Sequence, residues 1–258
     1  GLNPTRSAKV LLLEDGLPLT FAPYGGNETY YHPPVERFSR AEVLKGSGQI
    51  AFGPHTVGGV INYITPTPPE EASGRVRLAA GNRGFKEAYV EAGTTEDNTG
   101  VLVQGLSKTT EGARDNMEFD VKDYNVKLVH ELSDTQAITL RASSYNEKSD
   151  VPYSGLTLAE WNTFGSDYNP FVNDKYTAER WALSATHEIA FNADLTLKTS
   201  IYRTDFSRDW WRQSSNSGQR PNDSSDQRCG GMANLSATCG NEGRLRDYQT
   251  WGVEPRFS

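Results

Sequence analysis

The sequence predicts a mixed fold: a small glycine-rich unit over residues 1–69, followed over residues 70–258 by an antiparallel meander of about eight long strands of the membrane β-barrel kind. Three observations predict it. The stretch Ala41 to Thr65 is dense in glycine and runs a short apolar strand through a Gly-rich turn into a second apolar strand. Glycine at that density marks backbone with positive φ or in close approach to another segment. Pro66, Pro68 and Pro69 then interrupt the pattern, because prolines cannot continue a hydrogen-bonded ladder. Beyond them period-two alternation recurs over stretches longer than ordinary strands, joined by connections that alternate between short and long.

In the first unit, Val10–Leu13 and Val60–Ile64 are apolar runs expected to share one sheet. Asn62 stands inside the second run, where a β-branched residue would be ordinary. In the second unit, strands are expected near 74–81, 84–93, 99–109, 120–132, 135–147, 178–190, 194–208 and 245–258. Asn82-Arg83, Glu96–Asn98 and Ser133-Asp134 read as tight connections, and 110–119, 148–177 and 209–244 as long loops. Along one strand Tyr124, Val126, Leu128 and Leu132 alternate with Asp123, Asn125, Lys127 and Glu131. Aromatics near strand ends, Tyr145, Trp181, Tyr202, Trp210 and Trp211, are expected to form interfacial girdles.

Composition narrows the function classes. The chain has 258 residues and a net charge of -7. It contains no apolar run long enough for a transmembrane helix, which does not bear on a barrel, whose strands alternate. The basic residues form no stripe, so no nucleic acid is expected as a partner. His32, His55, His130 and His187 have no nucleophile or acid at a telling spacing, so no catalytic residues, and no enzyme, are expected. Cys229 and Cys239 have no neighbouring histidine and offer too few ligands for a metal; no cofactor is expected.

A set of short motifs carries a resemblance. Asp15-Gly16-Leu17-Pro18 follows the first apolar run, and Pro34-Val35-Glu36-Arg37 precedes Ala41-Glu42-Val43-Leu44-Lys45-Gly46. Phe52-Gly53 and then Gly58-Gly59-Val60-Ile61-Asn62 close the set. In this order the motifs resemble the plug of TonB-dependent outer-membrane receptors. The resemblance implies the C-terminal part of an α/β plug at 1–69 and the N-terminal part of a transmembrane barrel of about 22 strands at 70–258. An internal fragment is therefore expected, with the energy-coupling box and the remaining strands outside it. The resemblance further implies residence in the bacterial outer membrane, contact with its lipid and lipopolysaccharide, and a TonB-type periplasmic energy-coupling partner. In an exported chain the close pair Cys229 and Cys239 reads as a disulfide.

Ala22-Pro23-Tyr24-Gly25 and Phe52-Gly53-Pro54-His55-Thr56-Val57-Gly58-Gly59 resemble the ferric-dicitrate branch of that family, which implies uptake of a ferric chelate, an iron-carboxylate such as ferric citrate. That branch is expected to carry an arginine where this chain has Ala51, which leaves citrate itself open. Tyr24, Asn27, Gln49 and His55 are the candidate ligand contacts on plug loops, joined by Arg208 and Arg212 from an arginine-bearing loop at 203–228. Asp205, Asp209, Asp223 and Asp226 nearly balance those arginines, so a solvated lip is the alternative for that loop. A receptor of the same family for a catecholate siderophore, haem, cobalamin or a glycan, and a passive barrel or adhesion module, are the alternatives for the whole.

Overall fold

The structure is a computed structural model; it describes residues 10–19, 30–46, 52, 56, 58–152, 155–169, 171–172, 174–213 and 241–258, and of 212, 213, 241 and 242 only the backbone. Two sheets make up the described chain. The first is four-stranded, with β1 (Val10–Glu14), β2 (Leu17–Pro18), β3 (Arg40–Leu44) and β4 (Gly59–Ile64) in the order β2-β1-β4-β3. β1 and β4 run parallel, Val10 opposite Gly59 through Glu14 opposite Tyr63, as the two apolar runs lead one to expect. β3 is antiparallel to β4. This unit carries a 3-10 turn at Val35–Arg37.

The Asp15-Gly16 turn between β1 and β2 has both residues at positive φ, 50° and 84°, the twist a two-residue hairpin favours. Asn62 explains itself here. Its Oδ1 accepts from the Gly16 backbone N–H at 2.9 Å and its Nδ2 donates to Glu42 at 3.2 Å, so the amide ties the turn across the sheet. Asp15 in turn accepts from the Thr65 backbone N–H and hydroxyl at 2.9 and 2.6 Å.

The second sheet is an eight-stranded antiparallel meander. Its strands are β5 (Ser73–Ala80), β6 (Lys86–Glu96), β7 (Thr99–Thr110), β8 (Phe119–Ser133), β9 (Gln136–Ser149), β10 (Lys175–Asn192), β11 (Leu195–Gln213) and β12 (Asn241–Phe257). Residues 97–98, 134–135 and 193–194 make short connections at one end, whereas 81–85, 111–118 and 150–174 lie at the other. That segregation is the outer-membrane barrel pattern.

The sheet is polar on its inner face and apolar on its outer one. On β8, Asp123, Asn125 and Lys127 are buried against the small sheet while Tyr124 and Val126 are exposed. Leu140, Leu183, Ile201 and Val253 extend the outward apolar band on the neighbouring strands. Lipid rewards that outward face, and closure of the ladder through neighbouring strands satisfies the backbone.

Three sequence expectations are corrected. β10 begins at Lys175 and β11 runs to Gln213, so Arg203, Arg208 and Arg212 stand on a strand and not on a loop. The reason is pairing: Trp210 and Trp211 continue the register opposite Tyr176 and Lys175 and opposite Arg244 and Gly243. Tyr145 is buried against the small sheet and Trp210 packs beside it, so neither belongs to an outward girdle, whereas Trp181 and Trp211 are exposed. The stretch 148–177 contains a helix, α1 (Leu158–Phe164), opened by a reciprocal cap between Thr157 and Glu160.

Candidate functional site: the seam between plug and wall

The small sheet packs into the inner face of the meander through two layers. One layer is apolar and aromatic: Leu12, Leu19 and Tyr31 against Val121, Tyr145, Tyr176 and Phe206. The other is charged, and its centre is Arg37. The 3-10 turn that follows Pro33-Pro34 points this guanidinium into the seam, where it is 2% exposed. Arg37 Nη2 donates to both carboxylate oxygens of Glu14 at 2.7 Å, and Nη1 to both of Asp123 on β8 at 2.8 and 2.7 Å. A planar fork serves two carboxylates at once in a way an ammonium cannot.

The network spreads from there along the wall. Arg141 on β9 pairs with Glu14 and reaches Asp15 at 3.5 Å, and its Nε donates to Asn125 at 2.7 Å. Asn125 donates to Gln104, which donates to the Arg37 carbonyl at 3.1 Å and to Glu91 at 2.8 Å. Lys127 Nζ lies 3.4 Å from Asp15. Lys108 on β7 pairs with Glu36, the neighbour of Arg37. Burial alone would raise the Glu14 carboxyl, but the charges of Arg141, Arg37 and Arg180 outweigh it and lower the group to about 2. Burial likewise opposes the charge on Arg37; Glu14, Tyr31 and Asp123 hold its pKa well above the ordinary arginine value.

Above this layer two wall arginines meet two consecutive tyrosines of the small sheet's unit. Arg180 on β10 sits over the Tyr31 ring with its guanidinium carbon 4.6 Å from the centroid, and Arg208 on β11 over Tyr30 at 3.6 Å. Both arginines are buried. Among the described residues, Arg180 Nε and all three guanidinium nitrogens of Arg208 have no hydrogen-bond acceptor. Desolvated guanidinium on an aromatic face gains from the ring quadrupole, and Arg180 Nη2 also donates to the Thr204 hydroxyl at 3.4 Å.

The structure thus moves Arg208 from a solvent-facing loop to the seam. Arg212 stands further along β11, and its side chain is outside the described residues. Tyr24, Asn27, Gln49, His55, Cys229 and Cys239 also lie outside the described residues. Sequence reasoning missed Arg37, Glu14, Asp123, Arg141 and Arg180. Arg37 had a visible signal, an arginine closing the Pro34-Val35-Glu36-Arg37 motif; the others are charged residues in alternating strands with nothing local to mark them.

Comparison with known proteins agrees with this architecture. Residues 1–60 match the family described as TonB-dependent Receptor Plug Domain. A Vibrio vulnificus protein named vitamin B12 transporter BtuB is 30% identical over 177 residues, 67% of this chain and 28% of that protein. An iron-regulated outer membrane virulence protein of Vibrio cholerae is 28% identical over 127 residues, 45% of this chain and 20% of that protein. The chain thus spans under a third of the length of these relatives. The crystal structure of unliganded ferric citrate transporter FecA superposes with a TM-score of 0.80 at 19% identity, covering 100% of this chain and 36% of FecA. That of the siderophore receptor PirA from Acinetobacter baumannii gives 0.68 at 19% identity, covering 99% and 38%. The chain belongs to the TonB-dependent receptors of the outer membrane, of which it carries plug strands and the start of the β-barrel.

Proposed function

We propose that the intact protein is an energy-coupled receptor that takes up an anionic ferric chelate across the outer membrane, driven by a TonB-type periplasmic partner. The observation that carries this reading is the pair Arg180 and Arg208, buried cations on the inner wall that form no hydrogen bond to any carboxylate among the described residues. Positive charge on the wall of a narrow lumen focuses a field that favours an anion. FecA, whose fold covers the whole chain, is named for ferric citrate. Tyr24, Asn27, Gln49 and His55 are the plug-loop residues assigned to the chelate in this reading. An iron-carboxylate fits the guanidinium chemistry better than a neutral ligand does.

A second reading is cobalamin uptake, favoured by the Vibrio vulnificus relative and its name. Equilibrium titration of the full-length receptor in detergent with ferric dicitrate, a ferric catecholate, haem and cobalamin separates the two. Saturable binding of a ferric chelate, strongest for a carboxylate one, is the expected result. Tight cobalamin binding with no chelate binding overturns the proposal in favour of the second reading.

A further inference from the structure

The inner wall carries a line of cations, each of which meets a group of the plug in the resting state, while Arg141 also donates to Asn125 and Arg180 to Thr204 of the wall itself. Lys127 on β8 and Arg141 on β9 are register partners. Arg141 is opposite Ser184 on β10, and Arg180 lies on the same face of β10 nearer the long-connection end. Arg208 is opposite Ala178 on β10, and its own partner on β12 is the exposed Arg246. From the level of Lys127 to that of Arg208 the line climbs about 20 Å, six residues of strand. Among the described residues, Asp123 and Glu147 are the wall carboxylates that interrupt it. Asp123 is held by Arg37 of the plug, and Glu147 accepts from Tyr145 and Ser149.

Each cation of the line is covered by a plug group of matching chemistry. Asp15 faces Lys127, Glu14 and Asp15 face Arg141, the Tyr31 ring faces Arg180 and the Tyr30 ring faces Arg208. A carboxylate beside a guanidinium is the contact an anionic chelate would itself make. When the plug shifts, Glu14, Asp15 and the two rings leave together with Arg37; Asp123 then loses its partner, but the four wall cations still outnumber Asp123 and Glu147.

We propose that Lys127, Arg141, Arg180 and Arg208 form a latent anion track on the barrel wall, occluded by Glu14, Asp15, Tyr30 and Tyr31 and occupied in passage by a carboxylate-bearing anion as the plug moves. This rests on the reading of the protein as a chelate importer for the identity of the cargo, but the charge selectivity of the opened lumen is independent of it. The plug carboxylates act as stand-ins for the cargo, and the line holds the anion in successive steps rather than at one tight site.

Two measurements on the full-length receptor test this. In planar bilayers, with the plug displaced by urea, the reversal potential in a salt gradient reports selectivity. Wild type is expected to select anions, and Arg180→Gln/Arg208→Gln to lose that preference. A cation-selective wild-type lumen, or a selectivity unmoved by the double substitution, overturns the track. In cells at saturating chelate, where a change of affinity alone has no effect on rate, Arg180→Gln is expected to slow chelate uptake about tenfold, the scale of one lost charge-assisted contact. Unchanged uptake at saturation also overturns it. A receptor that binds cobalamin and no anionic chelate removes the chelate reading alone, because the reversal potential still decides the track.

Discussion

Replacing Arg37 by methionine keeps most of the side-chain volume and removes the fork that joins plug to wall. The substitution leaves Asp123 buried at 3% exposure with both of its described hydrogen bonds gone, since each comes from Arg37. Glu14 keeps a partner in Arg141. Removing one side of a buried ion pair typically costs about 3–5 kcal/mol, because the remaining charge stays desolvated. Seating of the plug is therefore expected to weaken by roughly 100- to 1,000-fold or more, at a factor of ten for each 1.4 kcal/mol. The assay is hydrogen exchange at the amides of β1 and β4 in the full-length receptor, compared with amides of β8 as an internal reference. Arg37→Met with Asp123→Leu should restore much of the loss, because neither charge is then left unpaired across the seam. Acceleration of less than about tenfold in the single variant, or a double variant as fast as the single one, refutes the claim that this pair seats the plug.

The Glu14 carboxyl is lowered to about 2 from an ordinary value of 4.5, so it contributes seating energy that is fully present above pH 4.5 and is lost as the pH falls toward 2. The whole shift corresponds to about 3 kcal/mol, and the seating share is the part due to Arg141 and Arg180 of the wall, since Arg37 leaves with the plug. Plug exchange measured across that window should accelerate in wild type and much less in Glu14→Gln, and equal acceleration in both would count against the assignment. Gly59 has φ +126°, and a Cβ there would lie 2.8 Å from the Leu44 carbonyl oxygen. Gly59→Ala is expected to cost about 1–3 kcal/mol and to loosen β3 from β4, read as faster exchange at Leu44 and Ile61. An alanine variant with wild-type protection at both amides would show that the strand pair absorbs the methyl group without strain.

The strands were legible in the sequence because alternation is a local signal, and eight of them appear where the pattern places them. The Asp15-Gly16 turn and the parallel pair of apolar runs were legible for the same reason. What escaped is long-range. Arg37 and Asp123 are 86 residues apart and carry no mark that pairs them. Arg208 looked like a loop residue because Arg203 to Gln213 is rich in Arg and Asp, a composition that reads as solvated. In a barrel the lipid-facing rule stops at the headgroups, but the backbone ladder does not, so polar sequence persists as strand beyond the apolar band. The same inversion hides the seam: Asp123, Asn125 and Lys127 look like the wet face of a soluble sheet and are instead its buried face.

The composition of the seam bears on how the plug can leave. The Arg37–Glu14 pair lies within the plug and survives its displacement as a body. The contacts that must break in the charged layer are Arg37–Asp123, Arg141 with Glu14 and Asp15, Lys127–Asp15 and Lys108–Glu36. While the seam is dry they are costly to open in proportion to their burial, Arg37–Asp123 most of all because both of its ends are desolvated. Once water enters, the same pairs become exposed ion pairs worth about 0–1 kcal/mol each. The apolar layer behaves oppositely: exposing Leu12, Leu19 and Tyr31 to water costs free energy in proportion to area whenever it happens. A seam built mainly from aliphatic side chains would resist separation all the way. One built from ion pairs resists until it is wetted and then yields, so a displacement that only admits water at the charged layer is enough to release most of its hold.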